Sequence, residues 1–100
     1  EGEWIKLVLK DQYYNMREMV EPHPEIIEKA MKAMEQAGVT PIVKPIRGGT
    51  DGSRLSYMGL PCPNLFTGGM NFHGKFEYIS LDSMYRQVQT LVNLVKLWTV

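Results

Sequence analysis

Residues Pro24 to Ser53 read PEIIEKAMKAMEQAGVTPIVKPIRGGTDGS, and the order of signals within them sets the fold class. Pro24 suits the first position of a helix, because its missing N–H costs nothing there. Ile27, Ala30, Met31, Met34 and Ala37 follow at helical spacing, and Gly38 supplies a stop. Glu25 and Glu28 lie near the N-terminus, where the helix macrodipole favours negative charge. The spacing predicts a helix over 24–37. Val39 to Ile46 is β-prone but broken by Pro41 and Pro45, which predicts a short or edge strand. A glycine-rich turn, Arg47 to Ser53, follows at once, and a short helix from about Ser53 to Met58 can grow out of it.

On the C-terminal side, Asn64 to Thr67 is expected as a further strand ending at Gly68-Gly69, and Met70 to Ser80 as a loop carrying His73. Leu81, Met84, Tyr85, Val88, Leu91, Val92, Val95 and Trp98 then make a long apolar stripe, with Ser80 as its N-cap. On the N-terminal side, Trp4 to Lys10 alternates, with Ile5, Leu7 and Leu9 on one face and Lys6 and Lys10 on the other. That is a strand with one wet face, yet no hairpin partner follows it. Asp11 to Val20 reads as a mixed connecting stretch. Alternating strands and helices indicate an α/β fold, with the two long helices packed on a small sheet containing Val39–Ile46 and Leu65–Thr67.

Composition narrows the function classes. The chain has 100 residues, 11 Lys+Arg against 11 Asp+Glu, and 44% hydrophobic residues. A formal net charge of zero removes the electrostatic reason to expect nucleic acid or an anionic membrane as partner. The single cysteine, Cys62, has no internal disulfide partner. No apolar run approaches the roughly 18–20 residues of a membrane span, and no signal peptide is visible, so a soluble cytoplasmic protein is expected. The sequence opens at Glu1, without Met, directly into strand-like residues, as a piece cut from a longer chain would.

Two places can carry chemistry. In the Arg47–Ser53 turn, consecutive glycines let backbone N–H groups approach a ligand, and Arg47 can grip a carboxylate or phosphate with both arms of its guanidinium. The turn lacks the Lys-Ser/Thr ending of a phosphate loop and does not fit G-x-G-x-x-G. On spacing alone it is either an anion-binding turn or a tight turn with a solvated arginine. His73, between Phe72 and Gly74, is either a surface histidine or a ligand or base beyond a strand end. Both are expected to emerge from strand carboxyl ends and to face one cleft. His23, between two prolines, and Cys62, also between prolines, read as structural. His73, Asp51 and Glu77 show no recognised zinc-ligand spacing.

Four strings add to this reading: Asp11-Gln-Tyr-Tyr-Asn-Met-Arg-Glu18, Lys44-Pro-Ile-Arg-Gly-Gly-Thr-Asp-Gly52, Met58-Gly-Leu-Pro-Cys-Pro-Asn-Leu-Phe-Thr-Gly-Gly69 and Asn71-Phe-His-Gly-Lys75. In order, and over essentially the whole chain, they resemble the C-terminal part of the peptidase T family, tripeptide aminopeptidases of the dizinc exopeptidase group. The resemblance implies that residues 1–14 are the last strand of an inserted lid domain, and that residues 15–100 are the returning catalytic domain. It implies that His73 binds one of two zinc ions and that Arg47 holds the C-terminal carboxylate of a tripeptide substrate. Gly68 and Gly69 would line the cleft, Asp51 would brace the turn, and Glu77 would orient the His73 loop. The remaining zinc ligands and the general base of the family lie upstream and have no counterpart in these residues. The resemblance therefore implies a piece that is inactive and holds no zinc by itself, and whose N-terminal strand is free to pair with another copy. The competing reading is a non-catalytic α/β module that captures a small anion at the Arg47 turn.

Overall fold

A computed structural model describes residues 4–99. Their order is α1 (Arg17–Val20), α2 (Pro24–Gln36), α3 (Asp51–Tyr57), β1 (Gly69–Met70), β2 (Tyr78–Ile79) and α4 (Leu81–Thr99). The two long helices appear where the sequence puts them, and local signals explain both. Pro24 opens α2, with His23 at the cap position. Gly38, at φ +74°, closes it: the Val39 N–H reaches Met34 O at 2.9 Å and the Gly38 N–H reaches Glu35 O at 3.0 Å, the paired bonds of a Schellman ending. Ser80 caps α4, its hydroxyl accepting the Ser83 N–H at 3.1 Å.

α2 and α4 pack together as an antiparallel pair. Three tethers run in opposite sequence directions along the seam. Arg86 Nη1 donates to Ala37 O and Gly38 O, both at 3.2 Å, while Asp82 holds its Nε at 2.9 Å. Further along, Asn93 Nδ2 donates to Ala33 O at 3.3 Å, and Lys29 Nζ lies 3.7 Å above the Trp98 ring. Along the seam the buried residues are small: Ala30 and Ala33 on α2, Ala37 at its C-terminal cap, and Thr90 on α4. Ala33 and Thr90 are fully buried, and the Thr90 hydroxyl satisfies itself on Arg86 O at 2.8 Å.

The expected sheet is not there. Neither 4–10, 39–46 nor 64–67 pairs with another segment, and the ladder present joins β1 to β2, antiparallel, with Gly69 opposite Ile79 and Met70 opposite Tyr78. Pro41 and Pro45 each remove an N–H from the 39–46 run, and Ile42 and Val43 are left exposed. The 4–10 segment likewise has no partner and exposes Ile5, Leu7 and Leu9; residues 1–3 of the anticipated lid strand lie outside the described residues. Without that sheet the α4 stripe is not buried: Leu81 is 82% exposed, Val88 58% and Val95 62%. α2 packs through its stripe, with Ala30 and Ala37 buried, but against α4 and not a sheet, while α4 meets it through a face other than its own stripe, so the prediction that both stripes lie on a sheet fails.

The described residues are helix-rich with a two-stranded ribbon, compatible with an α/β class. Their buried hydrophobic residues are Val20, Ala30, Ala33 and Ala37. The radius of gyration, 17.7 Å, exceeds the roughly 13 Å of a compact domain this long. One valine and three alanines do not make a domain core. These residues lack the self-contained interior that an independent binding module needs.

Candidate functional site

The glycine-rich turn feeds α3, which starts at Asp51, two residues earlier than expected. Thr50 is its cap residue, in extended conformation, and the Thr50 hydroxyl is shielded from solvent with no hydrogen-bond partner among the described residues. α3 presses its small face, Gly52, Ser53 and Ser56, against the Pro61–Asn64 segment. A Cβ on Gly52 would overlap the Cys62 carbonyl, so this glycine makes room for protein backbone. The Ser56 hydroxyl donates to Gly52 O at 2.7 Å and accepts the Cys62 N–H at 2.9 Å, fastening the two segments. Gly59, at φ +99°, closes α3 with the same ending as α2, the Leu60 N–H reaching Leu55 O at 3.0 Å.

Arg47 is exposed, two residues before Gly49, with no strand leading into it. The cavity beside the turn, about 260 Å³, is lined by Gln12, Tyr13, Gly49, Thr50, Asp51 and Arg54. Asp51 is exposed in the first turn of α3, and its carboxylate makes no hydrogen bond among the described residues. The N-terminal segment thus walls the glycine turn, a contact the sequence reading missed. Tyr13-Tyr14 within an otherwise polar connecting stretch was the available signal.

His73 sits in the loop that joins β1 to β2 and is exposed. Asn71 builds this loop: its carbonyl accepts the Gly74 N–H at 2.9 Å, and its Nδ2 donates to Phe76 O at 3.4 Å. Among the described residues, Asn71 and His73 are the two non-glycine residues with left-handed backbone, at φ 57° and 62°. Asn and His tolerate that region better than most residues, but it is still an uncommon conformation. Glu77 is exposed and meets the loop through its backbone N–H, which donates to Gly74 O at 3.3 Å. Gly68 and Gly69 are tightly covered. A Cβ on Gly68 would lie 2.5 Å from Ser83 Cβ, and one on Gly69 would lie 2.6 Å from the Phe72 ring. No hydrogen bond or ion pair joins the Arg47 turn to the His73 loop among the described residues. Among those residues, no three His, Cys, Asp or Glu side chains come together as a metal site.

Residues 8–97 match the model of peptidase family M20/M25/M40. The chain belongs to that family. It is 66% identical over 93 residues to a peptidase T of Aeromonas hydrophila, 63% over 94 to one of Bacillus licheniformis, and 58% over 95 to one of Alkaliphilus oremlandii. Those alignments cover 93–95% of this chain and 23% of each relative. This M20/M25/M40 chain therefore spans about a quarter of the length of the curated relatives it matches. Membership disfavours the free-standing anion-binding module.

Proposed function

We propose that the chain is one quarter of a zinc-dependent aminopeptidase that releases the N-terminal residue of tripeptides. The observation that carries this reading is the 58–66% identity to proteins named peptidase T over 93–95% of the chain. Arg47 holds the free carboxylate of the tripeptide. A fixed cation there rejects longer peptides, whose chain would leave that charge unpaired. Gly68 and Gly69 line the substrate cleft, Asp51 supports the Arg47 turn, and Glu77 supports the His73 loop.

A zinc site needs three or four protein ligands, and the described residues converge no such set. His73, exposed on the loop between β1 and β2, fits as one ligand of a site completed by the other three quarters of the protein. His73 would hold such a zinc together with ligands from the rest of the protein, and the bound metal would supply Lewis-acid polarisation of a carbonyl and an acidified water. What this chain contributes is a donor nitrogen and a carboxylate clamp. Residues up to about Tyr14 belong to a lid, and Asn15 begins the catalytic part.

The test is a graft. This chain replaces the matching quarter of a full-length relative, and release of the N-terminal residue from a tripeptide is measured. The reading expects turnover that a chelator abolishes and zinc restores. A folded graft that leaves tripeptides intact would overturn it.

A further inference from the structure

Residues 11–15 lie along α3 and fasten to both of its ends. At the C-terminal end, the Tyr57 hydroxyl donates to Asn15 O at 2.8 Å, and the Tyr14 and Tyr57 rings stand 5.6 Å apart, tilted by 54°. The Tyr14 hydroxyl turns back to Asp11 at 3.0 Å. At the N-terminal end, the Tyr13 ring covers Gly49 so closely that a Cβ there would lie 2.6 and 2.7 Å from its Cε1 and Cγ. Tyr13 makes no side-chain hydrogen bond among the described residues, so this contact is one of ring against backbone. Gly48, by contrast, has open space around it.

Gly48-Gly49 is the most conformationally free pair in the turn, and it directly follows Arg47. An arginine on a freely moving turn loses affinity to the cost of ordering it when ligand binds. The ring on Gly49 removes part of that freedom beforehand. We propose that Tyr13 is a positioning residue that presets the Arg47 turn, and so sets how strongly the enzyme prefers peptides with a free C-terminal carboxylate. This rests on the reading of Arg47 as the carboxylate clamp. It also gives the 11–15 segment a second role: the chain entering the catalytic part holds the specificity turn in place.

The test uses the grafted full-length enzyme and two substrates, a tripeptide and its C-terminal amide. Arg47→Ala is expected to lower kcat/KM for the free acid by roughly tenfold or more, the worth of a charge-assisted pair, and to spare the amide. Tyr13→Ala is expected to lower the acid-to-amide ratio by roughly 2- to 10-fold, through KM and with kcat held, which is the scale of ordering one long side chain. Tyr13→Phe keeps the ring and keeps the ratio. Gly49→Ala pushes the ring off the turn and reproduces Tyr13→Ala, so the proposal is testable even if one variant fails to fold. A Tyr13→Ala ratio equal to the parent's, or an equal loss on both substrates, overturns the positioning role while leaving the clamp intact. An unchanged ratio in Arg47→Ala overturns the clamp and the proposal with it.

Discussion

Arg47 and His73 differ in what surrounds them, and so in what their loss should do. Arg47 is exposed on a glycine turn, so its removal disturbs no packing. In the grafted enzyme, Arg47→Ala is expected to raise KM for tripeptide with little change in kcat. Steady-state kinetics on one tripeptide reads this split, and a loss confined to kcat would place Arg47 elsewhere in the reaction. His73 adopts φ 62°, so an alanine there would mix loss of the imidazole with loss of a side chain better suited to that backbone. His73→Asn is the cleaner change, because Asn accepts that backbone, as Asn71 does two residues earlier. It is expected to keep the thermal stability and remove most of the turnover. Retained turnover at unchanged stability would rule His73 out as a ligand. Neither role was legible from spacing alone. The turn fits no phosphate-loop pattern, and His73 stands among no ligand spacing, so both readings rest on the family resemblance.

The helices were legible because their signals are local. Pro24, Gly38 and Ser80 each act within a turn of the residues they cap, whatever the rest of the protein does. A paired test follows. Gly38→Ala forces a side chain into φ +74° with its Cβ 2.8 Å from Arg86 Nη1. It should cost about 1–2 kcal/mol, seen as a lowered midpoint in thermal unfolding of the grafted enzyme. Gly48→Ala has open space and a permitted φ, so its midpoint should match the parent's. Equal midpoints for the two variants would contradict the helix ending described for α2. Strands were misread because a strand is defined by a partner that the run itself does not specify. Val39–Ile46 has the residues of a strand and no neighbour to pair with. The α4 stripe was read correctly as helical and wrongly as buried here. Arg86, Thr90 and Asn93 face α2 instead, through bonds that apolar periodicity does not encode.

At the scale of the molecule, the exposed surfaces dominate. The α4 stripe, the 39–46 run and Ile5, Leu7 and Leu9 leave large apolar side chains in water around a core of Val20 and three alanines. Exposed large apolar side chains in this number mark surface that other protein covers. The 100-residue chain alone should therefore self-associate, its N-terminal segment pairing edge to edge with another copy. Sedimentation across a dilution series reads this. A monomer at all concentrations would show that these faces cover one another in solution. The same incompleteness governs the metal. If the chain contributes His73 to a site whose other ligands lie in the remaining three quarters, zinc affinity belongs to the whole and not to this part. The most direct measurement is a zinc titration of the 100-residue chain and of the grafted enzyme, each with and without His73→Asn. The expected result is weak or no binding to the chain alone, and tight binding to the graft that falls when His73 is replaced. Tight stoichiometric zinc binding to the chain alone, lost on replacing His73, would show that these residues build a metal site of their own and would contradict the account.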